Sequence, residues 1–131
     1  MVESAADPPS NIGALAVDER GWRRYLAEHS GPGKPFSPTQ VEAARSVWHR
    51  LREAMGERLP LPDSGPTRDG SLLLAWDSRT HHADIEVGAD GSLEWFFRNR
   101  GNGEHDGGKS PSAYRLPPAF LDVMRAIAGT L

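Results

Sequence analysis

The sequence predicts an α+β fold: two N-terminal helices, a three-stranded antiparallel meander, and a C-terminal helix packed on one sheet face. Three observations predict it. Residues 71–99 alternate apolar and polar side chains in three short runs divided by turn residues, the period-two signature of half-buried strands. Residues 37–55 carry a helix-capping signal and then apolar positions at helical spacing. Pro117-Pro118 introduces a second apolar helical stripe after the strands. Helices and strands are segregated along the chain, which is the α+β pattern.

The elements follow in order. Residues 1–16 are rich in Ala, Pro and Ser and are expected to form a flexible tail, leaving 17–131 as one domain. Residues 18–29 form a short helix with Asp18 as N-cap and Trp22, Tyr25 and Leu26 on one side. Residues 30–35, SGPGKP, break it. In Ser37-Pro38-Thr39-Gln40 a serine cap is followed by proline at the first helical position and by a glutamine that reaches back. Val41, Ala44, Val47, Trp48, Leu51 and Met55 make the stripe, and Gly56 stops it. Leu59-Pro60-Leu61-Pro62 is extended by proline geometry and lays two leucines along the core edge. Residues 64–70 are read as a turn into the sheet. Residues 100–110, RGNGEHDGGKS, have four glycines and no apolar side chain; they predict a mobile loop, 101–110, within the domain. The Gly-Lys-Ser there lacks the spacing of a phosphate loop. Phe120, Leu121, Met124, Ile127 and Ala128 form the stripe of the last helix.

In the meander, Leu72, Leu74 and Trp76 alternate with Leu73, Ala75 and Asp77. Ala83, Ile85 and Val87 alternate with His82, Asp84 and Glu86, and Leu93, Trp95 and Phe97 with Glu94, Phe96 and Arg98. A three-residue hairpin loop at 89–91, with Gly91 in the left-handed position, pairs Val87 with Leu93, Ile85 with Trp95 and Ala83 with Phe97. A two-residue turn would set Glu86 against Trp95 and mix the faces. The chosen register places Glu86 opposite Glu94, Asp84 opposite Phe96 and His82 opposite Arg98. A turn at 77–80 adds Leu73 to the same outward face, and His81 falls inward beside Trp76.

The predicted binding face is therefore Leu73, Asp84, Glu86, Glu94, Phe96 and Arg98, an apolar spot rimmed by charge. Three readings compete for it. A solvated face would use its charges against edge aggregation. A docking face would offer carboxylates and an aromatic anchor to a protein with a basic surface. A metal or catalytic site would take His82, Asp84, Glu86 and Glu94 as ligands; a carboxylate with Arg98 and His105 could serve as base, phosphate clamp and acid in ribonuclease-like hydrolysis.

Composition narrows these. The chain has 131 residues, net charge −3 and no cysteine, with pI near 5.9. Cysteine catalysis, thiolate zinc sites and disulfides are excluded. The acidic balance counts against direct nucleic-acid binding. Two arginine clusters, at Arg20, Arg23 and Arg24 and at Arg45, Arg50 and Arg52 with His49, sit among acidic residues on helices. No apolar run is long enough to span a membrane, and the N-terminus lacks a signal-peptide pattern, so a cytoplasmic location is expected.

Residues 65–104 combine a Trp ending the first strand, a His-His entry to an acidic second strand, Asp-Gly, Glu-Trp-Phe and Arg98-Asn99-Arg100. This run resembles a meander in small uncharacterised bacterial proteins. The resemblance implies a bacterial accessory protein and assigns no catalytic residue or cofactor. The sequence thus points to a non-catalytic accessory or inhibitor-type protein without cofactors. A metal-dependent or ribonuclease-like hydrolase on the same face is the alternative, and a nucleic-acid binder through the helix arginines is the third reading.

Overall fold

A computed structural model describes residues 18–129; the N-terminal tail of the sequence reading lies outside them. Helix α1 (Glu19–Glu28) begins where the Asp18 carboxylate accepts from the Gly21 N–H at 2.8 Å. Helix α2 (Pro38–Met55) carries the expected capping box. Ser37 Oγ accepts from the Gln40 N–H at 3.0 Å, and Gln40 Oε1 accepts from the Ser37 N–H at 2.8 Å. The same glutamine is buried, and its Nε2 donates to the Gly70 and Val87 carbonyls at 2.8 and 3.0 Å. A cap legible as a local signal thus also ties the helix start to one sheet turn and to the end of one strand.

The sheet has five strands, not three. Strands β1 (Asp63–Pro66), β2 (Leu72–Asp77), β3 (His81–Val87), β4 (Leu93–Asn99) and β5 (His105–Ser110) lie side by side in chain order, all antiparallel. The helix α3 (Pro118–Gly129) follows a 3-10 turn at Ala113–Arg115.

Two readings are corrected. Residues 63–66 pair with β2, and the turn shrinks to Thr67, whose N–H donates to the Ser71 carbonyl, and the three residues after it. Residues 105–110 are strand and not loop; only 100–104 turn the chain. Neither strand contains an apolar side chain other than proline, so hydrophobic alternation could not reveal them.

The physical basis of β5 is its glycines. A Cβ on Gly108 would lie 2.8 Å from the Trp95 indole, and one on Gly107 would lie 3.5 Å from the Phe96 ring. The aromatic rings of β4 cover the space that side chains on β5 would otherwise fill.

The β3–β4 register agrees with expectation pair for pair, and Gly91 has φ 87°. The nine inward apolar side chains, from Leu72 to Phe97, are buried, and His81 at the inward end of β3 is half-buried. Helices α2 and α3 pack on this face, and α1 packs on α2. Phe120 meets Trp95 edge-on at 6.1 Å, Trp95 stacks beside Phe97 at 6.1 Å, and Trp22 meets Trp48 at 6.0 Å. Leu59 is buried and Leu61 packs at the core edge. Among the described residues no helix is long and apolar enough to cross a membrane.

Candidate functional site

The register of the five strands fixes the outer face as three rows. Leu73, Glu86, Glu94 and Lys109 form the first. Asp63, Ala75, Asp84, Phe96 and Gly107 form the second. Asp77, His82, Arg98 and His105 form the third. All six residues of the expected binding face share this surface, as do His82 and His105.

Phe96 stands at the centre. The Arg98 guanidinium lies 5.7 Å over its ring. The His82 and His105 rings flank it at 6.2 and 6.4 Å. These neighbours and the bare Gly107 strand beside it leave Phe96 half-buried, as is Leu73. Neither is the freely exposed apolar side chain that strand alternation alone suggests. The face is polarised about this ring: the imidazoles and Arg98 gather on one side, Glu86 and Glu94 on the other.

Glu86 is the crowded carboxylate. Burial pushes its pKa up, and the charges of Asp69, Glu94 and Asp84 push it further. Asp63 is also raised, by burial and then by Asp77. Asp77 goes the other way. Burial opposes its ionisation, but the hydrogen bonds and charges of Arg100 and His82 outweigh burial and hold the carboxyl low.

His82 bridges two carboxylates. Its Nδ1 lies 2.9 Å from Asp77 and its Nε2 2.7 Å from Asp84. Both ring nitrogens therefore face carboxylate oxygens, and neither points into open space. Among the described residues no three His, Asp or Glu side chains stand where they could share a metal ion.

Three participants escape the sequence reading. Asp77 alternates outward in the sequence but falls in the expected 77–80 turn; it pairs with His82 because the β2–β3 turn lies one residue later, with the Ser78 N–H donating to the His81 carbonyl at 2.8 Å. Apolar matching of Trp76 with Ala83 would have found that register. Lys109 comes opposite Glu94 only because β5 is a strand. Arg100 pairs with Asp77 at 2.8 Å and donates to the Ser78 carbonyl at 2.6 Å, clamping two turns together.

Three of the helix arginines have local partners, while Arg45 Nε is buried without a hydrogen-bond partner. Arg23 and Arg52 reach Glu19 at 2.8 and 3.4 Å, and Arg50 lies 5.8 Å over the exposed Tyr114 ring.

Comparisons with protein-family models, curated proteins and solved structures found no match. The outer face must be interpreted from its own geometry.

Proposed function

We propose that this chain is a non-catalytic accessory or inhibitor-type protein that docks a basic surface of another protein on the outer face of its sheet. One observation carries the reading. Glu86 and Glu94 oppose each other on a face that no helix of the described residues covers, and Asp84 and Asp69 add to the charge around Glu86. Like charges set directly across a strand pair cost stability. A cationic partner surface would offset that cost on binding. Phe96, ringed by Arg98 and two imidazoles, supplies the aromatic and arginine anchor in which interface energy usually concentrates. The engagement of both His82 nitrogens by carboxylates fits a positioning role better than a ligand or base role.

The test is to capture partners with the full chain, identify them, and measure binding of variants at two salt concentrations. Phe96→Ala and Arg98→Ala should each weaken binding by about 2 kcal/mol or more while the chain still folds cooperatively. Asp84→Asn and Glu86→Gln should mainly slow association and flatten its salt dependence. Full binding by the Phe96 and Arg98 variants would move the interface elsewhere.

Ribonuclease-like hydrolysis is a second reading, favoured by the approach of Asp84, Arg98 and His105 around one ring. Incubation with single-stranded RNA discriminates. Cleavage abolished by His105→Ala would favour the enzyme; intact RNA supports the docking reading.

A further inference from the structure

The two edges of the sheet are built differently. β1 is four residues long, ends in Pro66, and follows Pro60 and Pro62. Proline offers no N–H, so this edge is poorly made for further pairing. β5 is six residues long, contains no proline, and has Gly107 and Gly108 at its middle. His105, Asp106, Gly107 and Lys109 are exposed.

The phase of the ladder tells which backbone groups of β5 are free. The Asn99 N–H donates to the Glu104 carbonyl at 2.7 Å. Bonded pairs alternate along antiparallel strands, so Asp106, Gly108 and Ser110 turn their backbone groups to β4. His105, Gly107 and Lys109 turn theirs outward. The Asp106 carboxylate accepts from the Gly107 N–H at 2.8 Å, a placeholder that a strand could displace. β5 is the last strand in the sheet order, so among the described residues no strand takes up these groups.

The side-chain surface next to this edge has a gap. Gly107 contributes nothing to the outer face, and a depression of about 490 Å³ opens there, lined by Asp84, Glu86, Glu94, Phe96, Gly107 and Lys109. A side chain entering from the edge would cross the glycine, lie against Phe96, and reach three carboxylates.

We propose that an extended segment of the basic partner adds to β5 as a sixth strand, with a long cationic side chain opposite Gly107 laid across it into this depression. The proposal rests on the docking reading above and gives it a backbone component: hydrogen bonds to His105, Gly107 and Lys109 supply register and affinity, and the glycine gap supplies side-chain preference. Residues opposite His105 and Lys109 should be neutral or acidic, because those positions are themselves basic. A second copy of the chain is disfavoured as occupant. With face matched to face and Gly107 paired with its own copy, it would oppose His105 to Lys109, and it would place a glycine rather than a long cationic side chain opposite Gly107.

The probe is a short synthetic peptide alternating threonine and valine, with a single arginine replacing the central threonine. Its counterparts carry glutamate in place of the arginine, or N-methyl groups on the arginine and its neighbouring threonines. The arginine peptide should bind the full chain, and amide exchange at Gly107 and Lys109 should slow by about tenfold or more in the complex. Both counterparts should bind at least about tenfold more weakly. Binding indifferent to N-methylation, absence of protection on β5, or failure of the arginine peptide to bind would overturn strand addition. So would concentration-dependent dimerisation of the chain that protects the same amides.

With a captured partner, Lys109→Pro removes an outward N–H that makes no bond to β4, and Lys109→Ala controls for the lost charge. Strand addition expects the proline variant to bind at least about tenfold more weakly than the alanine variant. If Phe96→Ala weakens the partner but Lys109→Pro and Lys109→Ala bind alike, strand addition fails and face docking stands. If neither Phe96→Ala nor Lys109→Pro matters, both fail. Should Lys109→Pro not fold, the peptide exchange measurement decides alone.

Discussion

Glu86 shows how a single side chain registers the tension of the whole outer face. Its raised pKa comes from burial first and from Asp69, Glu94 and Asp84 after it. For a carboxyl whose folded pKa lies above its unfolded value, the folded state favours the protonated form. The stabilisation that this represents is present below the unfolded pKa and is lost as pH rises through the folded one. At neutral pH Glu86 is therefore a net burden on folding. Glu86→Gln should melt higher than the parent at neutral pH, and the difference should close as pH falls below the ordinary value of 4.5. Thermal melts of the two proteins from acid to neutral pH measure it. Taking the difference cancels Asp77 and Glu19, whose lowered pKa values work in the opposite direction, losing stability as pH falls. A gap of constant size would mean that Glu86 is not crowded. Glu94 makes a poorer reporter, because Lys109 sits opposite it on the other side; a lysine at 94 would exchange one repulsion for another.

At the scale of elements, what alternates is legible and what does not is hidden. The α2 cap, the Gly91 hairpin and the β3–β4 register follow from short-range signals that agree with burial on one face. The same parity places Asp84, Glu86, Glu94, Phe96 and Arg98 together. β1 and β5 obey a different logic. β1 buries one serine, held by a 2.9 Å hydrogen bond from the Trp22 indole to Ser64 Oγ. β5 tucks glycines under the rings of β4 and buries Ser110, whose hydroxyl donates to the Arg115 carbonyl at 3.0 Å. Such strands exist because a neighbour already supplies the apolar surface, and no pattern within their own residues reports that. The two glycines should differ in what they tolerate. At Gly108 an added methyl meets the Trp95 ring, which Phe97 and Phe120 hold in place; Gly108→Ala should cost about 1–3 kcal/mol, the usual range for overpacking. At Gly107 the nearest atom is the Trp95 carbonyl oxygen at 3.2 Å and the face is open. That contact is tight, so Gly107→Ala should cost about 1 kcal/mol, less than Gly108→Ala. Urea unfolding of both variants checks the contrast, and equal losses would mean that Trp95 does not pin Gly108.

The whole molecule divides its labour between the two sides of one sheet. The inner face, under α2 and α3, holds the fold together, while the outer face sets Glu86 opposite Glu94 and crowds Asp69 and Asp84 around Glu86. Neighbouring residues on β4 sample the two sides. Phe97 is 3 % exposed and stacks on Trp95 inside the core; Phe96 is half-buried outside, under Arg98. Phe97→Ala removes a packed ring and leaves a cavity, which should cost about 3–5 kcal/mol. Phe96→Ala removes contacts to the exposed Arg98 and His105 side chains and to the His82 ring, outside the packed core, so about 1 kcal/mol is expected, near the centre of ordinary substitutions. Urea unfolding of the two variants reads the difference directly. If the core is the inner layer alone, the phenylalanine that matters for stability is Phe97, and under the docking proposal the one that matters for a partner is Phe96. Comparable destabilisation by both would mean that the outer face is itself a second core, and that its carboxylates are tolerated by the fold rather than held ready for a binding partner.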